Sequence, residues 1–190
     1  MSAPVSETLT EQEYLARERQ AETKSEYLGG QVFALAGTSR WHATIVGNVF
    51  SSLHAQLRGR PCEIFMTDLR TKVDRAGFYT YPDIVVVCGQ PRFEDAELDT
   101  LLNPTLIIEV LSPSTENYDR GKKFELYRKL ETFVEYLLIA QDRHFLEHHS
   151  RRSDGTWLMH ETTSPDDVLH LESIDCRLSV RDVYERVEVG

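Results

Sequence analysis

The chain has 190 residues, a formal net charge of −10, and 41% hydrophobic and 27% charged residues. That length and balance favour one soluble domain with its own core and exclude a fibrous or low-complexity chain. No run reaches the roughly 18 unbroken apolar residues of a membrane span, and the polar segment Met1–Gln20 lacks a signal-peptide core. In chain order, Leu9 to Gln20 reads as a short helix, with Thr10 as N-cap and Glu13 completing a capping box. Gly29-Gly30 marks a turn, and Gln31 to Ala36 reads as a strand. Ser39 caps a helix of roughly 18 residues, about five turns. Its apolar stripe is Trp41, Ile45, Val46, Val49, Phe50, Leu53 and Leu57, and Gly59-Arg60-Pro61 ends it.

Strands follow at Cys62 to Thr67, Leu69 to Val73 and Ile84 to Cys88. Residues 89–103 form a polar, acidic connection with room for a short helix. Leu106 to Leu111 is the most apolar run of the chain and reads as a buried strand. Ser112-Pro113-Ser114-Thr115 breaks it. Asp119 to Leu130 then reads as a helix and Val134 to Ala140 as another buried strand. A hairpin over His144 to Ser150 and Thr156 to Glu161 and a short helix starting at Ser179 or Arg181 complete the chain. The pattern predicts one α/β domain over residues 1–190, a mixed β-sheet core flanked by helices. Cys62, Cys88 and Cys176 are odd in number and form no C-x-x-C pair. They read as reduced core thiols of a cytoplasmic protein, not zinc ligands.

Chemistry concentrates in few residues. Glu109 interrupts the run Leu106–Leu111, where a charge is costly unless something binds it. Asp83 opens the run Ile84-Val85-Val86-Val87. By strand alternation, Asp83 shares a face with Val85 and Val87, and Glu109 with Ile107 and Leu111. Two such carboxylates suit Mg²⁺ or Mn²⁺; the plain structural reading is an acid that caps a helix or pairs with an arginine. Winding Asp119 to Leu130 at about 100° per residue puts Lys123 on the apolar face with Phe124, Tyr127 and Leu130, and Lys122 and Lys129 on the other. An inward lysine seeks an anion; snorkelling to water is the alternative. His42 lies inside the stripe of the long helix, as a satisfied core histidine or as a group that meets phosphate or orients water. Glu26, before the glycine turn, and Tyr127 are lesser candidates, and alone would read as surface and core. His144, His148, His149 and His160 read as surface residues of the hairpin, without zinc spacing.

These residues carry a resemblance. Y-P-D-I-V-V-V at 81–87, N-P-T-L-I-I-E-V-L-S-P-S-T at 103–115 and Y-D-R-G-K-K-F-E-L-Y-R-K at 118–129 resemble the PD-(D/E)xK nuclease superfamily. Within it the chain is similar to the Uma-two family, grouped with restriction endonucleases. Glu26-Tyr27-Leu28-Gly29-Gly30, Ala36-Gly37 with His42, and Val134-Glu135-Tyr136 also fit. The resemblance implies a restriction endonuclease-like fold and metal-dependent cleavage of phosphodiesters, most of all in DNA. It implies Asp83 and Glu109 as metal ligands, joined by the Val110 carbonyl, and Lys123 as the catalytic lysine, with His42, Glu26 and Tyr127 in support. One departure is Leu111, which stands where E-x-K places its lysine; the family is thought to move the lysine to the following helix. Another is Gln141, near where the family usually carries an aspartate. Double-strand cutting would favour a homodimer. The acidic charge argues against a nucleic-acid partner. It keeps two rivals open: an inactive binding module on the same fold, and an assembly protein that recruits a protein partner. A basic rim around Asp83 and Glu109 would favour the nuclease, and uniform acidity the rivals.

Overall fold

The computed structural model describes residues 8–35 and 37–189. Helix α1 (Glu11–Glu18) begins at the capping box: Thr10 Oγ1 accepts from the Glu13 N–H, and the Glu13 carboxylate accepts from the Thr10 N–H. A tight hairpin follows, β1 (Ser25–Leu28) and β2 (Gln31–Ala34). Its turn needs Gly30, at φ 97°, because a Cβ there would lie 2.6 Å from Thr8 Cγ2. The last residue of the expected strand, Ala36, lies outside the described residues. Helix α2 (Arg40–Leu57) has the expected length and cap, the Ser39 hydroxyl accepting from the His42 N–H at 3.1 Å.

Strands β3 (Cys62–Met66), β4 (Arg70–Val73), β5 (Phe78–Thr80), β6 (Ile84–Cys88), β7 (Thr100–Leu101) and β8 (Leu106–Leu111) come next. Then α3 (Glu116–Tyr118), a single π-helical turn (Asp119–Lys123) and α4 (Phe124–Tyr127) lead to β9 (Glu135–Ala140). Strands β10 (Leu146–Arg151), β11 (Trp157–Thr162), β12 (Val168–Leu171) and β13 (Cys176–Ser179) and helix α5 (Val180–Val183) complete the order.

Among the described residues the strands form three sheets. The central one has six strands in the order β11-β10-β9-β8-β6-β3, antiparallel except for the pair β8–β9. The chain crosses between those parallel strands through α3, the π turn and α4, as a parallel pair requires. Strand alternation divides the core. Ile84, Val86, Ile108 and Val110 face α2, β13 and α5. Val85, Val87, Ile107 and Leu111 face Leu126, Tyr127 and Leu130 of the crossover and its end, and Phe78 of the second sheet. That sheet has the order β2-β1-β5-β4-β7. The architecture is thus α/β, with a mixed sheet between helical layers.

Several expectations are corrected. Cys62 and Cys88 are not free thiols: they stand opposite each other on antiparallel β3 and β6 and form a disulfide, leaving buried Cys176 as the free cysteine among the described residues. The helix expected over Asp119–Leu130 runs instead over residues 116–127, with a π turn at Asp119–Lys123 between α3 and α4. Residues 89–103 carry β7 and no helix. His148 is not on the surface: it is buried, with Nε2 2.7 Å from Oε1 of buried Glu135. None of the described helices is long and apolar enough to cross a membrane.

Candidate active site

The acids and the lysine meet at the carboxyl end of β8. Asp83 immediately precedes β6, which runs antiparallel to β8, so it reaches the end of the sheet where Glu109 lies. Both acids share the face of Val85 and Ile107, as alternation demands. Glu109 is only 4% exposed. Its Oε2 is 3.4 Å from the Asp83 nitrogen, and its Oε1 accepts from the Tyr127 hydroxyl at 2.9 Å. Asp83 Oδ2 accepts from the Val110 N–H at 2.7 Å and is 3.1 Å from His42 Nε2. In a pleated strand the N–H and C=O of one residue point to the same side, so the Val110 carbonyl is also directed toward the Asp83 side.

Lys123 closes the site from the crossover. It is 5% exposed, whereas Lys122 is exposed and pairs with Glu125. Its ammonium is 2.9 Å from Glu109 Oε1, 3.4 Å from Glu26 Oε1 and 3.5 Å from Asp119 Oδ1. Glu26 arrives on β1 of the other sheet. The Thr80 hydroxyl on β5 donates to its Oε1 and the Tyr118 hydroxyl, at 3.0 Å, to its Oε2. Glu26 and Tyr127 stand behind Lys123 and Glu109. His42, Asp83, Glu109, Val110, Asp119 and Lys123 line a cavity of about 520 Å³.

Sequence reasoning passed over two of its residues. Asp119 is buried and four positions before Lys123, so the helical winding that turned Lys123 inward carries Asp119 with it. Gln141, at the end of β9, donates to the Leu111 carbonyl at 3.0 Å and hydrogen-bonds the Ser39 hydroxyl, which ties the strand end to the start of α2. The sequence marks it only as a departure from the family pattern after a buried strand, with no hint of the contacts that it makes.

The electrostatics follow from burial. Glu26, Glu109 and Asp119 gather around one ammonium, and Asp83 lies next to Glu109. Burial raises the pKa of Glu109, Lys123 opposes this, and the neighbouring Asp83 and Asp119 add to the rise. Burial also raises that of Asp119 against the pull of Lys123. Burial works against the Lys123 ammonium, yet Glu109, Tyr127, Glu26 and Asp119 together hold its pKa well above the usual lysine range. The site therefore carries more acid than base, which a cation would correct. Among the described residues no three histidine, cysteine or acidic side chains converge as a ready metal cage. Two carboxylates beside an open cavity are oxygen groups of the kind Mg²⁺ or Mn²⁺ takes, and not the nitrogen and sulfur set typical of zinc. At the mouth the charge is mixed. Lys24 pairs with Asp68, and Arg40, between cavity-lining Ser39 and His42, stacks on Trp41 at 4.5 Å.

Known proteins share this arrangement of chain. The model of the Uma2 family, described as "Putative restriction endonuclease", matches residues 11–181. An uncharacterized protein of Synechocystis sp., sll1609, is 37% identical over 161 residues, covering 85% of this chain and 91% of the relative. A second from the same organism, slr1290, is 36% identical over 176 residues, covering 93% and 91%. A crystal structure from Anabaena variabilis, described as "a putative nuclease", superposes with a TM-score of 0.75 over 95% of this chain and 99% of that one, at 20% identity. The fold is therefore shared well beyond sequence likeness, and with a family model spanning nearly the whole described chain, this protein belongs to the Uma2 family of restriction endonuclease-like proteins.

Proposed function

We propose that the protein is a metal-dependent endonuclease that hydrolyses phosphodiester bonds, with DNA as its substrate. One observation carries the reading: buried Glu109 lies beside Asp83 on a core strand, with the Lys123 ammonium 2.9 Å from it. The family description and the nuclease-like neighbour agree with it. Asp83, Glu109 and the Val110 carbonyl would hold Mg²⁺ or Mn²⁺, which when bound acidifies a water and offsets charge on the scissile phosphate. The residues of the chain supply the rest. His42 and the Val110 N–H engage Asp83 Oδ2 and leave Oδ1 for the cavity. Tyr127 and Lys123 hold Glu109 Oε1 and leave Oε2 on the side of Asp83. Lys123 donates to the attacking oxygen and to the phosphate as negative charge builds there. The water oxygen bonds to phosphorus and gives up a proton to solvent, the bond from phosphorus to one sugar oxygen breaks, and that oxygen takes up a proton from solvent. The products are a phosphate monoester and an alcohol.

The test is cleavage of duplex DNA, single-stranded DNA and RNA with Mg²⁺ or Mn²⁺, beside the melting temperature with and without metal. The wild type should cut duplex DNA only with metal present, and metal should raise its melting temperature, because a ligand that binds only the folded state stabilises it. Glu109→Gln should lose both the cleavage and most of the thermal shift. Equal shifts in the two proteins would place the metal elsewhere, and metal binding without cleavage would favour an inactive binding module.

A further inference from the structure

The carboxylates around Lys123 differ in what else they hold. Glu109 engages the ammonium at 2.9 Å, but the proposed metal also draws on Glu109. Glu26 already accepts from Thr80 and Tyr118. Asp119, which also hydrogen-bonds Thr115 within its own segment, offers an oxygen at 3.5 Å, a few tenths of an ångström beyond hydrogen-bond length, from a side chain only 4% exposed. Its backbone is pinned as well: Asp119 opens the π turn, and its carbonyl accepts from the buried Tyr136 hydroxyl of β9 at 3.2 Å. An inserted π turn is a local cost that persists where it aims a group. Here Asp119 and Lys123, at its two ends, both face the cavity.

The geometry points to Asp119 as a positioning residue for Lys123. When Glu109 turns to a divalent cation, Asp119 keeps the ammonium at the cavity wall, where it meets the phosphate. Without that carboxylate the lysine would be left with Glu26 and repelled by the new cation beside it. This role rests on the hydrolytic reading above.

Asp119→Asn removes the charge and keeps the shape. The ¹⁵N resonance of the Lys123 ammonium, identified by its loss in Lys123→Arg, reports whether that group is held. In the wild type it should stay sharp with and without Mg²⁺; in Asp119→Asn it should broaden away only when Mg²⁺ is added. On duplex DNA, kcat should fall by about 10-fold to 100-fold with KM little changed, the scale of a misplaced catalytic group. Asp119→Glu should recover part of the loss. The Mg²⁺-induced rise in melting temperature should survive in Asp119→Asn. A sharp signal in Asp119→Asn with Mg²⁺ overturns the proposal, and so does loss of the thermal shift, which would make Asp119 a metal ligand. Should Asp119→Asn not fold, Asp119→Ser is read by the same signals. A wild type that binds Mg²⁺ but cuts nothing sinks the hydrolytic reading, while the ammonium signal still decides the tether. A wild type with no response to Mg²⁺ or Mn²⁺ overturns both.

Discussion

Lys122 and Lys123 are neighbours in sequence with opposite surroundings. The first is exposed beside Glu125, and the second is buried between Glu109, Glu26 and Asp119. Lys123→Ala should therefore lower the cleavage rate by about 10²-fold or more, the cost of one preorganised donor. Lys122→Ala should change little beyond the salt dependence of binding. Comparable losses in a side-by-side rate measurement would refute the assignment. Lys123 was legible because helical winding sorts inward from outward residues, and the structure buries Lys123 although a π turn interrupts the regular winding. Glu109 was legible because a lone acid in an apolar run has few explanations. Glu26 stood only as a lesser candidate before the glycine turn, strengthened by the family resemblance, since nothing local distinguishes a buried acid in a polar segment from a surface one. The role of Tyr127 was hidden for the opposite reason: its ring packs like any core aromatic, and only its hydroxyl meets Glu109. The histidine pair misled because alternation puts His148 and His149 on opposite faces, and only burial of Glu135 shows that His148 has a partner inside.

Among the elements, the long apolar ones were read closely. Strands β6 and β8 have the expected bounds, and β9 starts one residue later than expected, because runs of five or six apolar residues have few other fates. Strands β1, β5, β12 and β13 have three or four residues each, mixed with polar ones such as Glu26, Thr80, His170 and Arg177, and give no period to detect. The disulfide escaped notice because it depends on the register of β3 against β6, which the spacing of two cysteines does not contain. Strand β8 is the element on which the site hangs. Ile108 is fully buried on the face opposite Glu109, against the α2 layer. Ile108→Ala should cost about 2–5 kcal/mol, the usual range for removing a buried aliphatic side chain. Denaturant unfolding checks this; a loss under about 1 kcal/mol would mean that the cavity collapses readily or that the layer is loosely packed.

For the molecule as a whole, one polar junction joins distant parts of the second sheet and α1. Asp99 accepts two hydrogen bonds from Arg19, at 2.8 and 3.0 Å, and one from Arg70 at 2.6 Å. The Arg19 guanidinium holds the Asp99 carboxyl well below the usual carboxylate range; partial burial opposes this and Arg70 adds to it. A lowered folded-state pKa stabilises the protein above the unfolded-state value, about 3.9, and that contribution is lost as pH falls through the folded-state value. Asp99→Asn should thus melt lower than the wild type at pH 7, and the gap should narrow below about pH 4. The carboxyl is about one-third exposed, so salt should shrink the gap too. A gap independent of pH would show that Asp99 acts through packing.

The parallel pairing of β8 with β9 also sets an order of events during synthesis. Glu109 leaves the ribosome before Lys123, and β8 cannot acquire its parallel neighbour until the crossover and residues 135–140 have followed. Gln141, which links the Leu111 carbonyl to Ser39, comes later still. Such distant closures make folding slow, since the chain entropy is surrendered before the contacts form. A nascent chain therefore carries its two acids before their lysine, and the cavity between them is lined in full only after most of the polypeptide has been made.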